Sequence, residues 1–409
     1  MNNICIAFLT FAAAAATAAS TSNPLVDVKA RQLVNTSLLP SATCTTPGFG
    51  AAAMLNLNVT GAAALIAADF NGDGFIDLAS ANTIPNVGWS ANDGKGNFGE
   101  IQEVTMLASG TKSIASGDID GDGTIDLLSL SVNDGKVAWY PNVDGTGNFG
   151  EQHIIHVFDK NGDLRGGHHS IAVGDMDGDG DLDLNVADYI GGKIVYFENT
   201  DGKGTFDLIT RWGQAGATVL KVGDLNGDGH PDIAAGADSW GLTRYLSYYL
   251  DPGIPPAMGG HSIKWTSSPI TGLALGDIDL DGKLDITALY THSIKSYSNK
   301  GGSFDHGKVT LITQNAGYKP ILGELIDIDG DGRLDLTSGN SVSVMWYRNT
   351  YNPQTDKWSL SSGMRFGGTS IQDLASGDFD GDGWIDVASA SGVVDNPITW
   401  YRNTCGGAE

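Results

Sequence analysis

The sequence predicts an all-β fold, a seven-bladed β-propeller whose ring is closed by an N-terminal strand. Three observations predict it. An Asp-rich loop of nine residues recurs seven times along the 409-residue chain. Short apolar runs, four to a period, fill the intervals between the loops. The last interval is one strand short, and an apolar segment ahead of the first loop can supply what is missing.

The loop reads Asp-x-Asp/Asn-x-Asp-Gly-x-x-Asp. Polar residues at positions 1, 3, 5 and 9 are Asp69, Asn71, Asp73 and Asp77 in the first copy and Asp118, Asp120, Asp122 and Asp126 in the second. The third has Asp175, Asp177, Asp179 and Asp183, and the fourth Asp224, Asn226, Asp228 and Asp232. The fifth has Asp277, Asp279, Asp281 and Asp285, the sixth Asp327, Asp329, Asp331 and Asp335, and the seventh Asp378, Asp380, Asp382 and Asp386. Successive copies start 49, 57, 49, 53, 50 and 51 residues apart. A period near 50 marks a stack of supersecondary units, each too small to bury a core alone.

The loop chemistry is that of a hard cation. Glycine at position 6 of every copy lets the chain turn sharply, so that the carboxylates converge. Oxygen ligands at this density select Ca²⁺, and up to seven ions are expected. The EF-hand is the rival reading. It needs an acidic ligand at position 12, where this chain has Ser80, Ser129, Val186, Ala235, Ala288, Ser338 and Ser389, and it needs a helix afterwards. Strand-forming residues follow instead. Twenty-six carboxylates packed into seven turns would repel one another without metal. Calcium is therefore expected as a folding cofactor, and not as evidence of catalysis.

The second unit shows the four strands plainly. One runs through Ser113–Gly117, one through Ile125–Leu130, one through Lys136–Tyr140 and one through His153–Val157. No stretch keeps a 3.6-residue period with caps, and 57 glycines with only 17% charged residues suit short strands and tight turns. Four strands per period make a propeller blade. After the last loop only Val387–Ala390 and Ile398–Arg402 remain, so Ala53–Val59 is expected to add the fourth strand and cover the open sheet edge. That closure brings Cys44 near Cys405, and a disulfide between them is expected.

Ile4–Ala19 is apolar and small, with small-residue cleavage sites near residue 19, and reads as a secretory signal peptide. The expected organisation is a signal peptide at 1–19, an N-terminal extension at 20–50 and the propeller at 51–409. Extracellular location is the consequence. Asn35 and Asn58 sit in glycosylation sequons. No other apolar run is long enough to cross a membrane. A net charge of −25 argues against nucleic acid as a partner.

The loops, the Gly-Asn-Phe-Gly turns and the period together resemble the FG-GAP/VCBS repeat family, which includes the propeller of integrin alpha subunits. The resemblance runs from about Ala51 to Thr404 and implies that the Asp and Asn positions above are calcium ligands. The architecture is also similar to fungal integrin-like lectins, which implies a sugar-binding role.

In such a ring the calcium loops join the first and second strands and share one face. The connections between the second and third strands, and between blades, lie on the other. Candidate ligand-binding residues there are irregular from blade to blade: Arg165, His168 and His169 in the long Asp159–His169 connection, Trp212, Tyr189, Trp240, Tyr290 and His292. Aromatic faces beside hydrogen-bonding groups suit sugars. By contrast Trp89, Trp139, Tyr196, Tyr245, Tyr297, Trp346 and Trp400 recur at a fixed distance from each loop start, which points to packing. The expected function is a binding or adhesion module for an extracellular glycan or protein. The alternative is a propeller-type polysaccharide lyase acting on a uronic-acid glycan. In it His168, His169 or Tyr189 would abstract a proton and Arg165 would neutralise the developing charge.

Overall fold

β-branched and aliphatic residues flank every loop and draw the chain into antiparallel strands on either side of it. The structure, a computed structural model, describes residues 44, 48–55, 59–158, 170–188, 192–213, 216–237, 245–250, 259–265, 268–313, 320, 322–350, 359–360, 363–392 and 397–406. Residues 1–19, Asn35 and Asn58 lie outside them.

Seven four-stranded antiparallel sheets result. Their first strands are Ala64–Ala68, Thr111–Gly117, Ile171–Gly174, Ala217–Gly223, Ile270–Gly276, Leu322–Ile326 and Ile371–Gly377. Their second strands are Asp77–Ala81, Asp126–Ser131, Asp183–Asp188, Asp232–Ala237, Asp285–Tyr290, Asp335–Gly339 and Asp386–Ser391. Each second strand thus begins on the last Asp of a loop. The third strands are Val87–Ser90, Lys136–Tyr140, Lys193–Asn199, Tyr245–Leu250, Ser293–Asn299, Val344–Tyr347 and Ile398–Tyr401. The first six blades end on Gln102–Thr105, His153–Val157, Phe206–Gly213, Gly259–Trp265, Phe304–Thr313 and Met364–Gly367. Among the described residues the helical content is one 3-10 turn, Thr404–Gly406, and no helix is long and apolar enough to cross a membrane.

The seventh blade takes its outer strand from Ala53–Met54, which pairs with Thr399 and Trp400. The pairing extends upstream of the expected Ala53–Val59. Gly50 N–H donates to the Arg402 carbonyl, Phe49 bridges Asn403, and Leu55 N–H donates to Ile398. Packing of the propeller therefore starts before residue 51, inside the expected extension. Phe49 stacks on Phe366 of the sixth blade with ring centroids 3.9 Å apart, and Cys44 is bonded to Cys405 across 361 residues. In the chain-entropy view a loop of that length contributes about 6 kcal/mol by restricting the unfolded chain.

The core is divided among the junctions. An apolar cluster fills each of the seven spaces between neighbouring blades, and the first strands stand side by side around the axis. The recurring aromatics belong to these spaces. Trp89, Trp139, Trp346 and Trp400 are buried. Tyr297 is buried in the same way, although in register Tyr248 and Ser296, and not Tyr245 and Tyr297, stand opposite the residues equivalent to the partners of Trp89 and Trp139. Each tryptophan of the first, second and seventh blades lies flat against a glycine of the next blade. A Cβ on Gly147, Gly204 or Gly96 would come within 2.0, 2.3 or 2.3 Å of the rings of Trp89, Trp139 and Trp400.

This contact separates packing from backbone strain. Gly147 and Gly301 both have φ of +79°, but only Gly147 faces a ring. Gly301→Ala should cost about 1 kcal/mol through its left-handed backbone. Gly147→Ala should cost a further 1–3 kcal/mol, roughly, through overpacking. Denaturant titration of both variants reads the difference, and equal losses would show that the tryptophan seat does not contribute.

Candidate metal centres

Each loop is shaped by its own carboxylates. The Asp at position 1 accepts the backbone N–H of the position-6 glycine in all seven copies, at 2.7 to 3.1 Å. Those glycines have φ between +80° and +106°, which a side chain would resist. Position 4 is left-handed as well. It is glycine in six copies and Leu280 in the fifth, at φ +60°.

The Asp at position 9 is the pivot. All seven are at most 1% exposed. In six of them Oδ2 accepts the N–H of position 2, at 2.7 to 3.2 Å. In the sixth loop Trp346 Nε1 donates to Asp335 Oδ2 at 2.9 Å. In six blades Oδ1 accepts the N–H of an Asn at the end of the third strand: Asn92, Asn142, Asn199, Asn299, Asn349 and Asn403, at 2.6 to 2.9 Å. The same Asn side chains reach back to the preceding blade. Their Nδ2 groups donate to the position-2 carbonyls of Phe379, Phe70, Ile119, Leu225, Ile278 and Ile328, at 2.6 to 2.9 Å. Among the described residues, six of the seven loops, all but the third, are thereby clasped by the next blade. The Asn residues were not singled out from the sequence, although each lies two or three residues beyond an aromatic of the third strand.

Carboxylate oxygens converge in five loops. Asp118, Asp120 and Asp122 bring one oxygen each within 4.8 Å of one another. So do Asp175, Asp177 and Asp183; Asp277, Asp279 and Asp285; Asp327, Asp329 and Asp335; and Asp378, Asp380 and Asp386. These groups could hold a metal ion. The first and fourth loops differ because position 3 is an amide. Asn71 Nδ2 donates to Asp73 at 2.9 Å and Asn226 Nδ2 to Asp228 at 2.8 Å, so an N–H stands where another carboxylate would.

Burial pushes the pivot carboxyls well above their ordinary value of 3.8. It raises Asp77 and Asp126 to about 7 and Asp183, Asp285, Asp335 and Asp386 to about 8, against the lowering effect of their backbone donors. Neighbouring loop carboxylates add to the rise. A cation placed among them would favour the ionised form.

The ligand-face candidates fare differently. Arg165, His168, His169, Tyr189 and Trp240 lie outside the described residues. Trp212 is not in a connection but in the outer strand Phe206–Gly213, paired with Ile194. Tyr290 is a correction: it is 2% exposed, and its hydroxyl lies 2.6 Å from that of Tyr297. Its ring is core and offers no ligand surface. His292 is exposed in the tight turn after it.

A ring of blades, each with an acidic nine-residue turn between its first and second strands, defines a class of propellers whose turns could hold metal. The FG-GAP-like repeat model matches residues 69–129, 118–186, 175–235, 277–337 and 327–389. The chain belongs to that family. Among solved structures it is similar to an Agrocybe aegerita lectin described for specific recognition of non-reducing terminal N-acetylglucosamine. The identity is 17% and the TM-score 0.53, over 85% of this chain and 86% of that one. It is similar to BBS1N in complex with ARL6DN at 13% identity and TM-score 0.58, over 87% and 96%. The extracellular domain of a candidate one-component system from B. thetaiotaomicron gives 12% and 0.50, over 86% of this chain and 39% of that one. At these identities the likeness is one of fold.

The pivot carboxyls set a pH dependence. In the unfolded chain they ionise near their ordinary value, whereas the metal-free folded chain resists ionisation up to about pH 8. Their contribution is therefore fully present below about pH 4 and is lost as pH rises towards 8. Melting temperature of chelated protein should fall across that window. With calcium in excess the ionised form is favoured, and the trend should reverse. A chelated protein whose melting temperature rises from pH 5 to 8 would contradict the assignment.

Proposed function

We propose that the protein is a secreted, calcium-stabilised β-propeller that binds an extracellular glycan, with protein as the second ligand class. The observation that carries the reading is the likeness in fold, across most of both chains, to a lectin described for recognition of non-reducing terminal N-acetylglucosamine. FG-GAP-like repeats and five convergent acidic groups support the metal part. Hard oxygen donors at this density favour Ca²⁺ over softer metals, and all seven loops offer enough donors to be counted as sites. The apolar leader Ile4–Ala19 supports secretion.

Recognition is assigned to the face opposite the loops. The loop carboxylates hold backbone and metal, and the buried aromatics hold neighbouring blades, so neither has surface to offer a ligand. Trp212, Trp240, His168, His169, Arg165, Tyr189 and His292 remain the candidates.

Calcium should raise the melting temperature of chelated protein by several degrees or more, with half-effect at about 10⁻⁴–10⁻³ M if the sites are of the extracellular kind. An unchanged melt after complete metal removal would refute the cofactor assignment. A glycan array should then return a defined sugar class. Trp240→Ala or Trp212→Ala should weaken binding by about 1–3 kcal/mol while leaving the calcium-dependent melt in place. Ultraviolet absorbance from unsaturated uronic ends in the same mixtures would overturn the binding-module reading in favour of a lyase.

A further inference from the structure

The residue just before the clasping Asn contacts position 3 of its own loop in the fifth, sixth and seventh blades, and the charge at this register position changes around the ring. In register it is Ala91, Pro141, Glu198, Leu250, Ser298, Arg348 and Arg402. The two arginines are on the sixth and seventh blades. Arg348 Nε pairs with Asp329, and its Nη2 lies 3.4 Å from Asp331 Oδ2. Arg402 Nε pairs with Asp380, and its Nη2 lies 3.1 Å from Asp382 Oδ2. Arg333 adds a second contact to Asp331 at 3.1 Å. Each guanidinium therefore spans positions 3 and 5 of its loop, the carboxylates that a cation would otherwise have to neutralise. A planar, permanently charged fork suits that bridging.

These are also the blades where the chain closes on itself. Cys44, bonded to Cys405, donates its N–H to the backbone carbonyl of Asp329 at 2.9 Å, inside the sixth loop. Phe49 lies between Phe366 and Trp346 of the sixth blade and bridges Asn403 of the seventh. The N-terminal segment thus runs across the junction of the two arginine-bearing blades.

We propose that Arg348 and Arg402 are built-in counter-ions that keep the closing junction folded when calcium is scarce, making the sixth and seventh loops the least calcium-dependent of the ring. The third loop is the opposite case, because Glu198 adds a carboxylate at the same register position. The inference rests on the calcium reading above and assigns unequal roles to its sites. Held together by a disulfide, a borrowed strand and two fixed cations, the closing junction stays shut while loops elsewhere lose metal.

The test compares the full-length protein with the double variant Arg348→Met, Arg402→Met and with Glu198→Gln. Each is melted in chelator and in excess calcium, and calcium binding is titrated calorimetrically. Expected for the arginine variant are a lower melting temperature in chelator, near wild-type melting in calcium, and tightening of the weakest class of sites by about tenfold. Glu198→Gln should move the other way, with a higher melt in chelator and a smaller calcium-induced rise. Equal losses in both media would make the arginines packing residues and overturn the inference. Weaker calcium binding in the arginine variant would overturn it too, by showing that they hold the loops in shape for the metal. No effect in chelator is likewise against it. A wild-type protein that binds no calcium and melts alike in both media would remove the calcium reading itself, and is recognisable before any variant is made.

Discussion

The structure depends on a carboxylate that is buried seven times. The Asp closing each loop has lost its water, and in five of the seven loops two backbone N–H groups replace part of it. Moving an ion into such a place costs several kcal/mol unless it is paired and fully bonded. Yet this carboxylate starts the second strand, fixes the loop against it and positions the end of the third. The geometry that makes the blade is thus the geometry that is least stable when ionised and alone. Either a proton or a cation must share the site, and as pH rises past about 8 the proton is lost from Asp183, Asp285, Asp335 and Asp386. Fold and metal are one problem in this chain.

The Asn clasp makes that problem collective. Asn142 takes its orientation from Asp126 of its own blade and spends its amide on Phe70 of the blade before. Asn349 does the same between Asp335 and Ile278. A loop that loses its shape therefore withdraws a partner from the next blade, and the tryptophan-on-glycine contacts run in the same direction. In an open solenoid such a disturbance would stop at an end. A closed ring has no end, so the junction where the termini meet carries the extra fastenings: a disulfide, a donated strand and two arginines.

Much of this was legible in the sequence, for identifiable reasons. The loops, the period and the strands were, because seven copies of one pattern average out local ambiguity. Closure by an N-terminal strand followed from counting strands after Asp386, but its extent did not. Phe49 and Gly50 sit in a stretch of small and turn-forming residues with no strand signal, and tertiary pairing alone makes them extended. The Asn residues were missed because a lone Asn after a strand reads as an ordinary turn former. Tyr290 was misplaced because irregularity marks a position that breaks the repeat without saying whether it faces water. Here it is the fifth blade's way of filling its junction, with Tyr297 as partner. Strand pairing shifts the register equivalents to Tyr248 and Ser296 for a related reason: spacing from the loop start drifts with loop length, whereas strand pairing does not.

The two faces of the ring answer to different constraints, and this bears on where specificity can reside. On the loop face a substitution at positions 1, 3, 5, 6 or 9 disturbs a buried charge, its turn and the neighbouring blade together. On the other face the connections between second and third strands are not held by the clasp. Thr291 and His292 form the shortest kind of turn, while Asn340 to Ser343 closes on its own side chain through the amide oxygen of Asn340. Such connections can differ in length and chemistry without reaching a pivot carboxylate. A scaffold that concentrates its cooperative interactions at one face leaves the opposite face free to vary, and variable connections on a rigid frame are where selective recognition is commonly built. A cation in the acidic turns would act on that face at a distance, by holding rigid the frame on which the variable connections are mounted.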